Sequence, residues 1–218
     1  MTQLRKLVVV GAGGFGQEVV WAARNLNAAH PTFDILGYCD DDLAKKGQVI
    51  YGGPVLGTPE EASVNLAEPP CFVCAIGSNI TRLVVVRRLL AMGWMPVSII
   101  DPSVIVAEHV VVGEGTYVGA ASVLSPYARL GNHVLVNHGA SIGHDSILGD
   151  FAQVAPGGRV SGSSRLAEGA FLASNAVVAP GRSIGRYATL GACSFAITDI
   201  PDGATAVGVP ARIALRRE

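Results

Sequence analysis

At 218 residues the chain has room for one or two domains, and its net charge of −1 with scattered Lys and Arg leaves no basic footprint for nucleic acid. Half of the residues are hydrophobic, yet no uncharged stretch reaches the ~20 apolar residues of a membrane span, so a soluble, cytoplasmic protein with no membrane partner is expected. The apolar run after Arg5-Lys6 is broken by Gly13, Gly14, Gly16, Gln17 and Glu18 before it is long enough for a secretion signal.

In chain order, residues 6–10 read as a short strand, followed by Gly11-Ala12-Gly13-Gly14-Phe15-Gly16 and a helix over about 15–25. A second strand, 35–39, ends on Asp40-Asp41-Asp42. A third, 71–76, ends at Gly77-Ser78-Asn79 and leads to an amphipathic helix over 81–92, closed by Gly93. Residues 97–100 read as a last strand that feeds the repeat following it. Strands alternating with helices predict a small parallel sheet, with a domain boundary near Ser98 that divides the chain into 1–98 and 99–218. Cys71 and Cys74 form a C-x-x-C inside a strand, where residues three apart face opposite sides, and no second pair completes a zinc cage. They are expected to be plain buried thiols.

The glycines match G-x-G-x-x-G between a strand and a helix, with Asp40 some two dozen residues on. Such a turn lets backbone approach phosphate, faces it with a helix N-terminus and offers a carboxylate to a ribose diol. About 98 residues supply only half of a doubly wound dinucleotide sheet, so a mononucleotide or nucleotide-linked substrate is expected. The competing reading is a tight strand–helix turn without a ligand.

From Ile100 the grammar changes. Every sixth residue from Ile100 to Leu190 is Ile, Val or Leu, sixteen positions without a slip. A six-residue period fits neither helix nor flat strand, but fits a parallel β-helix in which each hexad is one face of a triangular prism. Four residues after each rung stands a small or β-branched residue, such as Thr116, Ser122, Ala128, Ser146 or Ala170, expected to point inward; Arg182 breaks this rule. Residues eighteen apart should stack at about 4.8 Å over about five coils. His138 and His144 then occupy different corners. Above His144 lies Gly162, which leaves room beside the imidazole, and Asp145 can accept from its Nδ1–H and raise its basicity. His30, His109 and His133 lack such a setting and are read as surface residues.

The hexad array, Asn137-His138-Gly139-Ala140-Ser141-Ile142-Gly143-His144-Asp145-Ser146, the closing Val207-Gly208-Val209-Pro210-Ala211-Arg212 and the N-terminal glycine turn resemble the hexapeptide-repeat acyltransferases of the sialic acid O-acetyltransferase (NeuD) type. This type includes the bacillosamine-pathway and perosamine N-acetyltransferases. The resemblance covers essentially the whole chain. It implies a left-handed parallel β-helix behind a small N-terminal α/β Rossmann-like domain, and a homotrimer with acetyl-CoA in the groove between neighbouring prisms. It implies His144 as general base with Asp145 as partner. A nucleotide-linked amino sugar would meet Gly11, Gly13, Gly14, Phe15, Gly16, Asp40, Asp41, Gly77, Ser78 and Asn79. Acetyl-CoA would meet Gln153, Gly162, Ser174 and Ala192. Three positions depart from the pattern: Phe15 stands where the bacillosamine enzyme has a His, Gln153 replaces a coenzyme-side His, and Gly143 replaces an acidic residue often found before the catalytic His.

The expected reaction is N-acetylation of the sugar amine, with no metal. O-acetylation of sialic acid or a related sugar uses the same base. A metal-dependent hydratase of the γ-carbonic-anhydrase type, suggested by His133 and His138, and a non-catalytic nucleotide-binding scaffold are the other readings.

Overall fold

The structure, a computed structural model, describes residues 4–214. The chain divides into two compact units, Met1–Pro102 and Ser103–Glu218.

The N-terminal unit carries four parallel strands, β1 (Arg5–Val10), β2 (Phe33–Cys39), β5 (Cys71–Cys74) and β6 (Met95–Pro96), in the order β2-β1-β5-β6. Leu7, Val8 and Val9 are fully buried, as are Phe72 and Val73, as expected for strands covered on both faces. Helix α1 (Gly14–Ala29) follows β1 and buries Val19, Val20, Ala22 and Ala23. The hairpin β3 (Val49–Ile50) and β4 (Gly53–Pro54) and the short helix α2 (Pro59–Asn65) separate β2 from β5, and α3 (Asn79–Ala91) follows β5. α2 starts with a full capping box, Thr58 and Glu61 satisfying each other's amides, and Pro59 opens its first turn. The strand expected at 97–100 is Ile99–Ile100, which lies outside this sheet, and the last strand of the sheet is Met95–Pro96. Pro96 suits that place because an edge strand can spare a donor.

The second unit is a hexapeptide-repeat β-helix. Among the described residues, sixteen two-residue strands run from Ile105–Val106 to Phe195–Ala196 and form three parallel sheets, the faces of a prism. Register follows the expected offset of eighteen: Leu124 pairs with Ile142, Ile142 with Val160, and Leu130, Leu148, Leu166 and Ile184 stack in turn. The rungs from Val118 to Leu190 are buried, each worth ~1.5–3 kcal/mol of apolar transfer. The ladder runs one rung further, to Ala196. It then shortens by two residues, so that Ile184 bridges Ile200 and Leu190 pairs with Ala206.

The small interior residues have a defined role. Thr116 Oγ1, Ser122 Oγ, Ser146 Oγ and Ser164 Oγ each donate at 3.0 Å to a turn carbonyl fifteen residues on, which gives the buried hydroxyl an acceptor inside the prism. Arg182 keeps the backbone bonds of its coil, to Ala179 O and from Arg165 N, and its side chain is exposed. The odd member of the interior set therefore turns outward without disturbing the coil. Every turn also needs one left-handed residue, three after each rung. Among the described residues this position has φ between 51° and 68° from His109 through Cys193. Gly takes it at Gly115, Gly139, Gly157, Gly169 and Gly181, and Asp145 and Asn175 suit it as well.

Candidate active site

In the N-terminal unit, strand order reverses at β1, and the turn after that strand faces the carboxyl ends of β2 and β5. A crevice at such a switch point is where open α/β sheets hold ligands. A cavity of about 240 Å³ lies there, lined by Val10, Gly11, Asp40, Asp41, Ile76, Thr81 and Val85. The glycines of the turn divide into two kinds. A Cβ on Gly11 would meet Ala75 O at 2.7 Å, and one on Gly16 would meet Gly11 O at 2.0 Å, so close packing requires both. Gly13 and Gly14 have nothing within 4 Å of such a Cβ. They begin α1, whose N-cap, Gly13, makes no side-chain cap bond and whose first turn has no acidic residue. Open backbone and unclaimed amides are what an anionic group requires.

The acidic loop is already engaged. Asp40 Oδ2 accepts from Ala12 N at 2.8 Å and Lys45 Nζ at 2.9 Å, and Oδ1 accepts from Asp42 N at 2.9 Å. Burial opposes its ionisation, but these donors outweigh burial and hold the carboxyl below its ordinary value. Asp40 thus staples the glycine turn to the end of β2. Asp41 is gripped by Arg88, Nη1 to Oδ2 at 2.9 Å and Nη2 to Oδ1 at 3.0 Å. Arg88 also holds both oxygens of Glu60, and that pairing lowers the Glu60 carboxyl to about 2. Ser78 caps α3, accepting from Thr81 N at 3.3 Å, and Asn79 Oδ1 accepts from Arg82 Nη2 at 3.0 Å. Arg82 is fully buried, donates to Ile76 O at 2.8 Å and is lowered to about 10 by desolvation. Lys45, Arg82, Arg88 and Glu60 escaped the sequence reading, because nothing in their local spacing reports partners from other elements.

On the prism, His144 and Asp145 lie at the edge where the Ser141–Ile142 strand turns into Ile147–Leu148. Asp145 Oδ2 lies 2.8 Å from His144 Nδ1, and both side chains are exposed, 65% and 59%. A carboxylate on Nδ1 fixes the tautomer with its proton there and leaves Nε2 as the acceptor. Gly162 lies beside the ring, one coil on: a Cβ there would sit 2.3 Å from Nε2. On another edge the matching amides are claimed by side chains of the next coil, Glu114 N by Asn132 Oδ1 and Asn132 N by Asp150 Oδ1. Eighteen residues beyond Gly162 stands Pro180, whose side chain has no acceptor, and among the described residues the Gly162 N–H makes no hydrogen bond.

The other expected coenzyme residues lie elsewhere. Ser174 and Ala192 stack on the edge that carries His138, and Gln153 is buried on the face leading to it. His133 is not a surface residue: it is 5% exposed and its ring stacks on Phe151 at 5.1 Å. Phe15 begins α1 beside Gly14, half-buried. Cys39, Cys71 and Cys74 are buried free thiols, and desolvation raises Cys39 and Cys74 to about 12. Among the described residues no group of three or more His, Cys, Asp or Glu could hold a metal, and no helix is long and apolar enough to cross a membrane.

The family model described as the PglD N-terminal domain matches residues 6–89. No curated protein sequence matches the chain. Among solved structures, PerB from Caulobacter crescentus, in complex with CoA and GDP-perosamine, is 29% identical, with a TM-score of 0.89 over 98% of this chain and 99% of that one. The acetyltransferase domain of PglB from Neisseria gonorrhoeae is 31% identical, with a TM-score of 0.87 over 96% of this chain and all of that domain. WeeI from Acinetobacter baumannii is 26% identical, with a TM-score of 0.80 over 95% and 99% of the two chains. The chain belongs to the hexapeptide-repeat sugar acetyltransferases of the PglD and NeuD type.

Proposed function

We propose that the chain transfers acetyl from acetyl-CoA to the amine of a nucleotide-linked amino sugar, with His144 as general base. The observation that carries this reading is an exposed imidazole oriented by a carboxylate beside an unclaimed backbone amide. The amine nitrogen attacks the thioester carbon as Nε2 takes its proton. The carbonyl oxygen becomes an oxyanion, for which the Gly162 N–H is the donor. The C–S bond then breaks, and the imidazolium returns its proton to the coenzyme thiolate. Asp145 stabilises the imidazolium between these steps.

The likeness to PerB and to PglB, the latter solved with acetyl coenzyme A, supports both substrates. In the N-terminal unit, the Gly13–Gly14 amides suit the diphosphate and the cavity beside Asp41 suits the nucleoside. Asp40 acts there by holding the glycine turn, Ser78 and Asn79 by shaping the start of α3. Gly162 and the Ser174–Ala192 column occupy different edges of one prism, so one coenzyme meets both only where two copies of the chain face each other. This supports a homotrimer, working in the cytoplasm where acetyl-CoA is made.

The test is coenzyme A release with a panel of GDP-, UDP- and dTDP-linked amino sugars, and with sialic acid as a hydroxyl acceptor. Turnover of an amino sugar is expected. Turnover of sialic acid alone, or of nothing in the panel, contradicts N-acetylation.

A further inference from the structure

Five aromatic residues occupy left-handed turn positions of the prism: His109, Tyr127, His133, Phe151 and Tyr187. A bulky side chain there costs ~1 kcal/mol or more that glycine avoids, so each calls for a compensating contact. All five have one within the chain, and in three of them it also buries the ring or occupies the hydroxyl. His133 and Phe151 stack and are buried, and the Tyr187 hydroxyl donates to Glu168 Oε1 at 2.7 Å. The other two stack on each other, rings 4.9 Å apart and 12° from parallel, yet remain in solvent, with Tyr127 51% exposed. Among the described residues the Tyr127 hydroxyl has no hydrogen-bond partner.

Their position gives this pair a use. Tyr127 has φ 63°, Asp145 has φ 58°, and the two are eighteen residues apart on the edge that carries His144. Asp145 N donates to Pro126 O at 3.1 Å, which ties the two turns together. One coil below the base and its carboxylate there is therefore a flat aromatic surface, backed by a second ring. Aromatic faces carry partial negative charge and attract the polarised C–H groups of a sugar ring.

We propose that Tyr127, backed by His109, is the floor on which the acceptor sugar ring rests while its amine faces His144. This rests on the acyl-transfer reading and adds a specificity-determining residue to it. The floor favours a sugar that presents one C–H-rich face, and it makes no contact that would recognise the nucleotide or the coenzyme.

The experiment compares wild type with Tyr127→Asn and Tyr127→Gly, both compatible with the left-handed turn, and with Tyr127→Phe, which keeps the ring. The acceptor is the panel member that wild type acetylates best. Both ring-deleting variants should raise KM for that acceptor roughly five- to tenfold, while KM for acetyl-CoA and the solution mass stay unchanged. Tyr127→Phe should match wild type. An unchanged acceptor KM in both ring-deleting variants overturns the floor and leaves acyl transfer standing, as does an equal rise in both KM values. A fall in solution mass also overturns it, because the pair would then be a contact between copies of the chain. A wild-type chain that acetylates nothing in the panel overturns the acyl-transfer reading and the floor with it.

Discussion

Gly162 and Gly143 are both glycines at the His144 edge, but for different reasons. A Cβ on Gly143 would lie 2.5 Å from Gly162 N and 2.7 Å from Ser161 C, backbone that cannot retreat without breaking the coil. A side chain at Gly143 would therefore need the facing backbone of the next coil to shift. A Cβ on Gly162 collides instead with the imidazole, an exposed side chain that can swing aside. Gly162→Ala should therefore fold normally and melt within about 1 °C of wild type, while kcat falls roughly a hundredfold because the base is displaced by an ångström or more. Wild-type kcat in that variant would show that the ring's present position has no bearing on the chemistry. Tyr127 belongs to the same scale, as an aromatic residue at a left-handed turn whose stacking on His109 leaves its ring in solvent.

At the scale of elements, the prism was legible because its period is written in every hexad, and the eighteen-residue register follows from three faces per coil. The need for a left-handed residue at each turn was less visible. Aromatic residues fill a third of those positions from His109 through Cys193, where glycine or asparagine would have announced them. Helix α2 was passed over although its start is explicit: Thr58-Pro59-Glu60-Glu61 places a cap, a first-turn proline and a reciprocal acid in four residues. Its brevity hid it, since seven residues cannot show a helical period. Thr58→Ala should cost about 1 kcal/mol in urea denaturation, because the Glu61 amide loses the Oγ1 acceptor while the backbone amide of residue 58 keeps its bond to the Glu61 carboxylate. A change below a few tenths would mean that packing of α2, and not its cap, holds this segment. The acidic loop is legible as a motif, but its partners within the fold are not. Sequence spacing placed Asp40 and Asp41 near a ligand, yet could not reveal that Lys45 and Arg88 would already occupy them.

For the whole molecule, the four cysteines report how folding sorts reactive groups. Three are buried, while Cys193 is exposed at a turn of the prism. In native protein a maleimide should modify Cys193 alone, and in denaturant all four thiols, as counted by mass spectrometry. Modification of a second thiol under native conditions would show that the N-terminal sheet opens readily. The cysteines of the C-x-x-C motif, Cys71 and Cys74, are then ordinary core residues, as their place within a strand suggested.

The central claim is that His144 Nε2 is the proton acceptor. Steady-state acetylation of the best panel acceptor by His144→Ala, together with acetyl-CoA binding by calorimetry, tests it directly. The account predicts a loss of kcat of about 10²–10⁴-fold with coenzyme affinity within a factor of about three of wild type. Turnover undiminished by removal of the imidazole would contradict it.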